Sequence, residues 1–463
     1  MLDSLITIIK HKLQKKSVDF IKNNSYQYST LQISLDEYIS LHATDIDQSF
    51  FLCKPDSSLT LLGLGSFINL EATGKHRFNS IKSAYTEILQ KWQDKDIISP
   101  IAFHAFAFDE NDPMAGHWSD LPNTIITIPL ILFKEINSRQ TLFINVDLQQ
   151  WEKQQNYISE VLLTIESLLK AYFKEINQYS DTTPESKSEL LNRPLSISWI
   201  QITKKAINKI RSGSIDKIVT SRQFSLSKEK KISTIQLSRN LIKNYPGCTI
   251  LSYQFSGKTI IVASPEHLVT LDYPNIKSDA IGGTIHRKED KNHSISSLAQ
   301  SPLADKHRLL KEHDFIVQAI YQGLDSLCHT LKMPLSPFLM KLHNMYHLET
   351  PIQGKLMEQY DLFDVVKKLH PTPAVAGYPT QKSRQWLLEN EDYQRGWYTG
   401  AFGYLENNSQ GKINGELSVM LRCAVINKNK MTLFAGAGLV AESDPETEWQ
   451  ETELKMQTIL EML

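Results

Sequence analysis

Three charged side chains near the end of the chain stand at helical spacing. Glu448, Glu451 and Lys455 are three and four residues apart, so they share one face of a helix. Trp449 and Met456 fall on another face, which is apolar enough to pack on a core. One interpretation is a solvated rim in which Glu451 and Lys455 form an ion pair worth roughly 0.2–0.5 kcal/mol. In the other, the carboxylates hold a divalent cation such as Mg²⁺, and the lysine meets an anionic ligand of that cation.

Four more charged residues stand in apolar surroundings, and each has a structural and a chemical interpretation. Glu312, on the helical stretch "LLKEHDFIVQAI", is either a surface acid or a second metal ligand. Lys217, in the strand "DKIVTSR", either reaches out to water from a sheet edge or is buried and acts as a general base. Glu266, in "ASPEHLVTL", is an ordinary turn acid or a carboxyl group kept protonated by an apolar pocket. Arg422, in "VMLRCAV", has the shape to bind a carboxylate with two hydrogen bonds.

A glycine turn precedes the C-terminal helix in the stretch "LFAGAGLV". Gly436 and Gly438 let backbone N–H groups approach an anion closely. The third glycine of a dinucleotide fingerprint is missing and no βαβ unit follows, which disfavours a dinucleotide site. In "SDPE", Ser443 is predicted to cap the helix and Glu446 to complete a capping box, with Pro445 in the first turn.

The elements that must position these residues are helices mixed with strands. Alternating apolar positions and short polar turns predict antiparallel hairpins within 49–72, 123–148, 248–272 and 416–440. Helical periodicity appears in 151–175, 196–214 and 312–331. Strict β–α–β alternation is absent, which disfavours a doubly wound or (β/α)8 architecture. We therefore predict an α/β protein of the α+β type with large, mainly antiparallel sheets.

The composition limits the classes of function. The 50 Lys and Arg residues almost balance the 51 Asp and Glu residues, and the net charge of −1 disfavours non-specific nucleic-acid binding. No apolar run approaches 18 residues, and the amphipathic N-terminus lacks the features of a signal peptide. The four cysteines show no metal-binding or CxxC spacing and are expected to be reduced: Cys53, Cys248, Cys328 and Cys423. We predict a cytoplasmic protein without a membrane partner.

A series of motifs in order resembles the chorismate-utilising enzymes, and among them the isochorismate synthases. The motifs are "DKIVTSR" (216–222), "SPEHL" (264–268), "GGTIHR" (282–287), "KEHDFIV" (311–317), "HLET" (347–350), "LHPTPAVAGYP" (369–379), "RGWYTGAFGY" (395–404), "LSVMLRCAV" (417–425) and "FAGAGLVAESDPETEWQETELK" (434–455). The resemblance covers 195–463, with weaker matches upstream at 61–67 and 103–129. It implies one elaborated domain over 1–463, with a less specific half at 1–185 and a chorismate-binding catalytic region at 195–463.

The resemblance implies both a fold and a reaction. The fold is a single large domain in which extensive β-sheets pack together with helices outside. The reaction is the reversible, Mg²⁺-dependent isomerisation of chorismate to isochorismate, in which water adds at C2 and the C4 hydroxyl leaves. By resemblance, Lys217 is the general base, Glu266 is the general acid, and Glu312 and Glu448 bind the metal, with Glu451 acting through water.

The resemblance also implies a set of substrate-binding residues. They are Gly283, Thr284, Tyr398, Arg422, Gly436, Ala437, Gly438 and Lys455. Chorismate, a small dianion, needs only a focused cationic pocket in a nearly neutral protein. The resemblance further implies a monomer with no macromolecular partner, and we expect its product to enter menaquinone biosynthesis in preference to siderophore biosynthesis.

Other members of the same family, and one non-enzymatic function, remain alternatives. Anthranilate and aminodeoxychorismate synthases use ammonia in place of water, and a lysine at 217 favours water. Salicylate synthases keep the same lysine and glutamate and go on to eliminate pyruvate. A non-catalytic chorismate-binding module could do without Lys217 or Glu266. Departures from the family pattern are Arg308 and Leu309, where a Lys-Asp pair is common, and Lys288 in place of a glycine.

Overall fold

Strands and helices alternate irregularly along the chain. The computed structural model describes residues 2–20, 26–93, 99–154, 156–178, 195–286, 303–341, 345–408 and 410–463, with the side chains of 16–20, 284–286, 303–308 and 345 outside that description. The α-helices found there are α1 Leu2–Phe20, α2 Arg77–Gln90, α3 Leu148–Lys153, α4 Tyr157–Asn177, α5 Ile197–Arg211, α6 Thr234–Asn244, α7 Leu303–Asp325, α8 Leu362–Leu369, α9 Thr380–Asn390 and α10 Pro445–Leu460. The strands are β1 Tyr28–Ser34, β2 Ser49–Lys54, β3 Leu59–Ala72, β4 Ala102–Phe106, β5 Thr124–Ile136, β6 Arg139–Asp147, β7 Lys217–Ser227, β8 Thr249–Phe255, β9 Lys258–Ser264, β10 His267–Asp272, β11 Asn275–His286, β12 Cys328–Lys332, β13 Phe338–Lys341, β14 Met345–Leu356, β15 Gly377–Tyr378, β16 Ala401–Asn407, β17 Ile413–Val419, β18 Cys423–Asn427 and β19 Lys430–Leu439.

The strands form one continuous sheet with two branches that meet at β5. The first branch runs in the order β1-β6-β5-β3-β2-β8-β9-β18-β19-β7-β15. The second branch leaves β5 in the order β4-β16-β17-β10-β11-β14, and β12 and β13 both pair with the outer edge of β14. Every ladder between these strands is antiparallel, as the alternating hairpin patterns predicted.

Apolar side chains of successive residues leave each strand on opposite faces and enter different cores. In β2, Phe50 and Leu52 enter the cluster between the two branches, where Phe50 stacks on Phe103 of β4 at 5.2 Å. Phe51, between them, belongs instead to the cluster formed with α1, α4, α6 and α10. Helices α2, α7 and α8 cover the outer face of the second branch. The result is four layers, with helices outside two sheet branches.

Strands from the first part of the chain pair with strands from the last part. β2 pairs with β8 and β4 pairs with β16, so the upstream and downstream regions share one sheet. The predicted fold class, a single α+β domain with mainly antiparallel sheets, is confirmed. The boundaries proposed at 185 and 195 stay a prediction. Among the described helices, none combines the length and the apolar character that a membrane crossing would require.

Candidate active site

A cavity of about 70 Å³ lies where β7 and β19 of the first branch approach β11 of the second, with α7 and α10 at its border. The cavity brings together ten of the thirteen predicted site residues, of which the first, Lys217, and the last, Lys455, are 238 positions apart in the sequence. Those ten are Lys217, Glu266, Gly283, Glu312, Tyr398, Arg422, Gly436, Gly438, Glu451 and Lys455.

Of the other three predicted site residues, Glu448 and Ala437 are not part of the cavity lining, and the side chain of Thr284 is not described. Glu448 is 2% exposed and lies on α10 one turn before Glu451. Ala437 points to the opposite face of β19, where it belongs to a small core cluster with two tryptophans. The backbone of Thr284 pairs with His347 in β14, and its side chain lies outside the described residues. The roles expected of these three residues stay predictions.

Lys217 is the first residue of β7 and is almost completely buried. Its side chain is 1% exposed, and β7 is paired on one side with β19 and on the other with β15. A lysine that reaches out to water from a sheet edge is therefore excluded. The ammonium nitrogen Nζ lies 2.8 Å from Oε1 of Glu312 on α7, so the candidate base and a candidate metal ligand form an ion pair.

Gly438 leaves the space that this ion pair occupies. A Cβ atom at this position would lie 2.8 Å from Oε1 of Glu312 and 2.8 Å from Cε of Lys217, both inside ordinary contact distance. Gly436 has a similar constraint, since its Cβ would lie 2.8 Å from the carbonyl oxygen of Thr220 and 3.1 Å from the hydroxyl of Tyr398. The glycines of this strand thus allow close packing inside the cavity.

Glu266 is held as a buried carboxyl group between β9 and β10. It is 5% exposed, and Thr372 donates a hydrogen bond from Oγ1 to its Oε1 at 3.3 Å. Burial raises the pKa of Glu266 to about 7, and the Thr372 hydrogen bond and the nearby charges of Lys217, Lys455 and Arg422 only partly offset this effect. The surroundings are those of a carboxylic acid that can donate a proton near neutral pH, and they differ from those of an exposed turn acid.

Arg422 is buried and fixed by two neighbours. Its Nη1 donates to Oγ1 of Thr458 on α10 at 3.3 Å, and its Nη2 lies 3.2 Å from Nε2 of His347 on β14. Its backbone has φ +48°, a left-handed conformation that is unusual for arginine. Burial and the neighbouring charge of Arg422 lower the pKa of His347 to about 3, so the imidazole is neutral and Nε2 accepts the arginine hydrogen bond.

His347 is a cavity residue that the sequence reasoning missed. It lines the cavity beside Arg422 and belongs to the motif "HLET". A histidine in an apolar strand, opposite a glycine-rich strand, was the available signal. The register that places His347 opposite Thr284 is visible only in the paired sheet.

Gly283 forms a bulge at the end of the cavity. The register of β11 against β14 shifts between Gly282 and Thr284, and Gly283 has φ +73°, which favours glycine. The carbonyl oxygen of Leu309 would lie 3.3 Å from a Cβ at this position. Leu309, one of the departures from the family pattern, therefore packs directly against the turn, whereas Lys288 and the side chain of Arg308 lie outside the described residues.

Tyr398 is buried in a stack of aromatic rings and faces the cavity. Its ring stacks on Phe434 with centroids 5.5 Å apart. Burial raises the pKa of Tyr398 well above its ordinary value, so the phenol stays protonated and can donate a hydrogen bond to an anion.

Helix α10 docks on the core as predicted, but it begins differently. The cap is Asp444, whose Oδ2 accepts from the backbone N–H of Thr447 at 2.9 Å. The prediction of a Ser443 cap with a Glu446 capping box is wrong, because Ser443 Oγ accepts instead from the backbone N–H of Val440. Asp444 lies one residue closer to the helix and takes the capping role.

One face of α10 packs on the core, and another borders the cavity. Trp449 packs edge-to-face on Trp199 with centroids 6.1 Å apart, which holds the helix to the core. Nζ of Lys455 lies 2.6 Å from Oε1 of Glu451 and donates to the carbonyl oxygen of Gly436 at 2.8 Å. Both side chains of this ion pair are less than one-fifth exposed, so the pair borders the cavity and is not a solvated rim.

The carboxylates of α7 and α10 fit magnesium by their chemistry. Glu312, Glu448 and Glu451 offer hard oxygen donors, and Mg²⁺ needs only one or two carboxylates when waters and ligand oxygens complete its shell. Within the described ranges, no three Asp, Glu, His or Cys side chains stand close enough together to form a complete metal cage. The donor set suits a cation that arrives with oxygen ligands of its own.

Residues 13–463 match the family described as chorismate binding enzyme. The protein therefore belongs to the family of chorismate-binding enzymes. The isochorismate synthase MenF of Bacillus subtilis (strain 168) is 26% identical over 429 residues, which cover 89% of this chain and 87% of that protein. The vibriobactin-specific isochorismate synthase of Vibrio cholerae serotype O1 is 31% identical over 275 residues, 59% of this chain and 68% of that protein. The resemblance drawn from the motifs is confirmed by these relatives.

Solved structures share the architecture. The menaquinone-specific isochorismate synthase MenF from Escherichia coli superimposes with a TM-score of 0.75 at 20% identity, over 98% of this chain and 99% of that one. Anthranilate synthase component I from Streptococcus pneumoniae TIGR4 gives a TM-score of 0.65 at 18% identity, over 92% of this chain and 95% of that one. At such identities the likeness establishes the fold alone.

Proposed function

We propose that the protein is a magnesium-dependent isochorismate synthase that interconverts chorismate and isochorismate. The observation that carries the proposal is the pairing of a buried lysine with a buried carboxyl group in one cavity. Lys217 has the chemistry of a base, and Glu266, whose pKa is about 7, has that of an acid that is half protonated at neutral pH. Adding water and expelling a hydroxyl group needs a base that deprotonates the water and an acid that protonates the leaving hydroxyl.

In the proposed reaction, these two residues move protons at different carbon atoms of the ring. Lys217 takes a proton from a water molecule as its oxygen bonds to C2, and both ring double bonds shift towards C4. Glu266 gives its proton to the hydroxyl at C4, so the C4–O bond breaks and water leaves. One water enters and one leaves, and the proton gained by Lys217 equals the one lost by Glu266. General base and general acid catalysis each contribute typically about 10²–10⁴-fold.

The remaining predicted residues position the dianionic substrate. Arg422, held by Thr458 and His347, offers a fixed guanidinium to a carboxylate. Tyr398 and Lys455 add a hydroxyl donor and a second cation at the same wall. The backbone of Gly283 and Thr284, and that of Gly436, Ala437 and Gly438, would meet the rest of the substrate.

Magnesium would be held by Glu312 and Glu448, with Glu451 acting through water. When bound, the ion supplies positive charge that holds the ring carboxylate of the substrate. Glu312 would then exchange its contact with Lys217 for one with the metal, and this exchange would leave the lysine amine available to water.

We further propose that the isochorismate enters menaquinone biosynthesis. The relative from Bacillus subtilis, a MenF protein, aligns with 89% of this chain, whereas the vibriobactin-specific relative aligns with 59%. The salicylate biosynthesis isochorismate synthase of Pseudomonas aeruginosa (strain PAO1) aligns with 93% at 26% identity, so coverage alone does not separate the pathways. Complementation of a menaquinone-requiring strain that lacks its own isochorismate synthase tests this destination.

Product analysis separates the proposed function from its alternatives. Purified protein is incubated with chorismate and Mg²⁺, with and without ammonium, and the products are resolved by chromatography. We expect isochorismate without ammonium, formed reversibly and lost on chelation of the metal. Salicylate with pyruvate would place the protein among the salicylate synthases, and an amino product that requires ammonium would place it with the anthranilate type. Bound chorismate without turnover would indicate a binding module.

A further inference from the structure

A buried ion pair lies just behind the cavity wall. Glu391 follows α9, and Arg395 is four residues further along the chain. Nε of Arg395 donates to Oε2 of Glu391 at 2.7 Å and Nη2 donates to Oε1 at 2.6 Å, a two-bond contact between side chains that are 3% and 5% exposed. Such a planar, double contact fixes the orientation of the guanidinium.

The remaining donors of Arg395 bind three separate segments of the chain. Nη2 donates to the carbonyl oxygen of Val219 on β7 at 2.7 Å, and Nη1 donates to that of Val375 at 3.0 Å and to Oγ1 of Thr399 at 3.3 Å. Val219, Val375 and Thr399 all line the cavity. One side chain thus joins three parts of the cavity wall that are far apart in sequence.

Glu391 reinforces one of these attachments. Its Oε1 accepts from the backbone N–H of Ser221 at 2.9 Å and from the hydroxyl of Ser221 at 2.7 Å. Ser221 lies on β7 two residues beyond Val219. The ion pair therefore holds the backbone of this strand at two positions, Val219 and Ser221.

Each joined segment carries one of the groups assigned to the reaction. Lys217 lies two residues before Val219 on β7. The backbone N–H of Val375 donates to the carbonyl oxygen of Thr372, whose hydroxyl binds Glu266. Tyr398 directly precedes Thr399.

Thr399 itself has a backbone conformation that needs support. Its φ is +62°, a left-handed value that is rare for a β-branched residue. Its hydroxyl donates to the carbonyl oxygen of Tyr398 at 2.6 Å while it accepts from Arg395. The arginine contact therefore supports the turn that aims Tyr398 into the cavity.

We propose that Arg395, paired with Glu391, is a positioning residue that sets the relative placement of Lys217, Glu266 and Tyr398. The proposal rests on the function proposed above. It assigns the ion pair no contact with substrate and no proton transfer. The carboxylates expected to bind metal lie on α7 and α10, which Arg395 does not contact among the interactions described here. Loss of the guanidinium contacts of Arg395 should therefore lower the turnover rate and leave Mg²⁺ binding intact.

The test compares two conservative variants of matched chemistry in the full-length protein. Arg395→Lys keeps the positive charge and removes the double hydrogen bond of the guanidinium to Glu391. Arg384→Lys is the control, because Arg384 lies on α9 and is not part of the cavity lining. Its guanidinium donates two hydrogen bonds to Oδ2 of Asp109, at 2.9 and 2.6 Å, and lysine again keeps the charge while losing this double contact. We expect kcat about 10- to 100-fold lower for Arg395→Lys alone, since small displacements of reacting groups cost rates of that order. The affinity for Mg²⁺, measured by calorimetry without substrate, should be unchanged in both variants.

The outcomes distinguish a positioning role of Arg395 from a purely structural role. Equal kcat values for the two variants would overturn the proposal, and so would a parallel loss of kcat and Mg²⁺ affinity in Arg395→Lys. If Arg395→Lys does not fold, Ser221→Ala removes the hydroxyl contacts with Glu391 and Tyr393 and keeps the backbone contact with Glu391. Its kcat should fall several-fold, and an unchanged kcat would contradict the proposal. Absence of turnover in the wild-type protein would instead refute the proposed function, which keeps the two failures distinct.

Discussion

Burial controls the protonation of Glu266, and this makes its role testable through pH. The pKa of this carboxyl is raised from 4.5 to about 7, with burial as the main cause. A general acid must hold its proton, so we expect kcat/KM to fall as pH rises above about 7. The profile of kcat/KM against pH checks this, and a rate that stays level up to pH 9 would remove the acid assignment.

The same pKa shift has a consequence for stability that does not depend on activity. The folded pKa lies above the unfolded one, so the folded protein binds more protons between them, and the free energy of unfolding falls as pH rises through this interval. Glu266→Gln removes the titration. We expect the variant to gain stability relative to the wild type between pH 4.5 and 7, measured by urea unfolding. Parallel pH curves for the two proteins would contradict the buried-acid assignment.

The absence of a side chain at Gly438 leads to a prediction about the steric effect of adding one. A methyl group there would meet Oε1 of Glu312 and Cε of Lys217 at 2.8 Å, so Gly438→Ala should displace the ion pair and lower kcat/KM by about tenfold or more. Gly247→Ala is the matched control, because a Cβ at Gly247 meets nothing within 4 Å. Steady-state kinetics of both variants make the test, and equal activities would show that the pair is not needed where the structure places it.

The chemistry of single residues was largely predictable from the sequence, but their pairing was not. An apolar strand around Lys217 and a Ser-Pro turn before Glu266 both indicated unusual surroundings. The contact of Lys217 with Glu312 joins residues 95 positions apart, and no local pattern encodes it. The place of His347 in the cavity was not predictable for the same reason, since its contact is with Arg422, which lies in the bend between β17 and β18.

At the scale of elements, α10 brings a charged edge to the cavity while its other face packs in the core. The spacing of Glu448, Glu451 and Lys455 predicted the shared charged face, and burial of Trp449 and Met456 confirms the docked face. The true cap, Asp444, could not be separated from Ser443 by sequence, because both residue types cap helices well and stand side by side. Boundary positions are decided by the turn that precedes the helix.

The metal role proposed for α10 gives a prediction with a control on the same helix. Glu448→Ala should raise the Mg²⁺ concentration for half-maximal activity by about tenfold or more, the usual order for loss of a metal ligand or its support. Glu446→Ala changes an exposed carboxylate half a turn earlier and should leave the requirement unchanged. Magnesium titrations of turnover compare the two. Identical Mg²⁺ titrations of the two variants would show that Glu448 does not contribute to metal binding.

At the scale of the molecule, two sheet branches and the core between them hold the cavity walls in place. Phe103 lies fully buried in this core, stacked between Phe50 and Tyr253. Phe103→Ala should lower the free energy of unfolding by about 3–5 kcal/mol. Leu163→Ala, at a side chain that is 66% exposed, should change it by less than about 0.5 kcal/mol. Urea unfolding measures both, and similar values would contradict a core between the branches.

Hairpins were predictable because their strands are adjacent in sequence and their turns carry recognisable residues. The pairing of β2 with β8 and of β4 with β16 was not, since alternation specifies which face of a strand is buried but not its neighbour. The architecture that brings Lys217 to Gly438 and Glu312 depends on these distant pairings. The family resemblance supplied what local patterns lack.

Isotopic labelling tests the central claim most directly. Chorismate is incubated with the protein and Mg²⁺ in water enriched in ¹⁸O, and the isochorismate is examined by mass spectrometry at low conversion. If water activated by Lys217 adds at C2 and the C4 hydroxyl leaves with the proton of Glu266, each product molecule carries one ¹⁸O, located in its new hydroxyl. Unlabelled isochorismate would mean that the hydroxyl moves within the substrate, and the paired base and acid would lose their assigned roles.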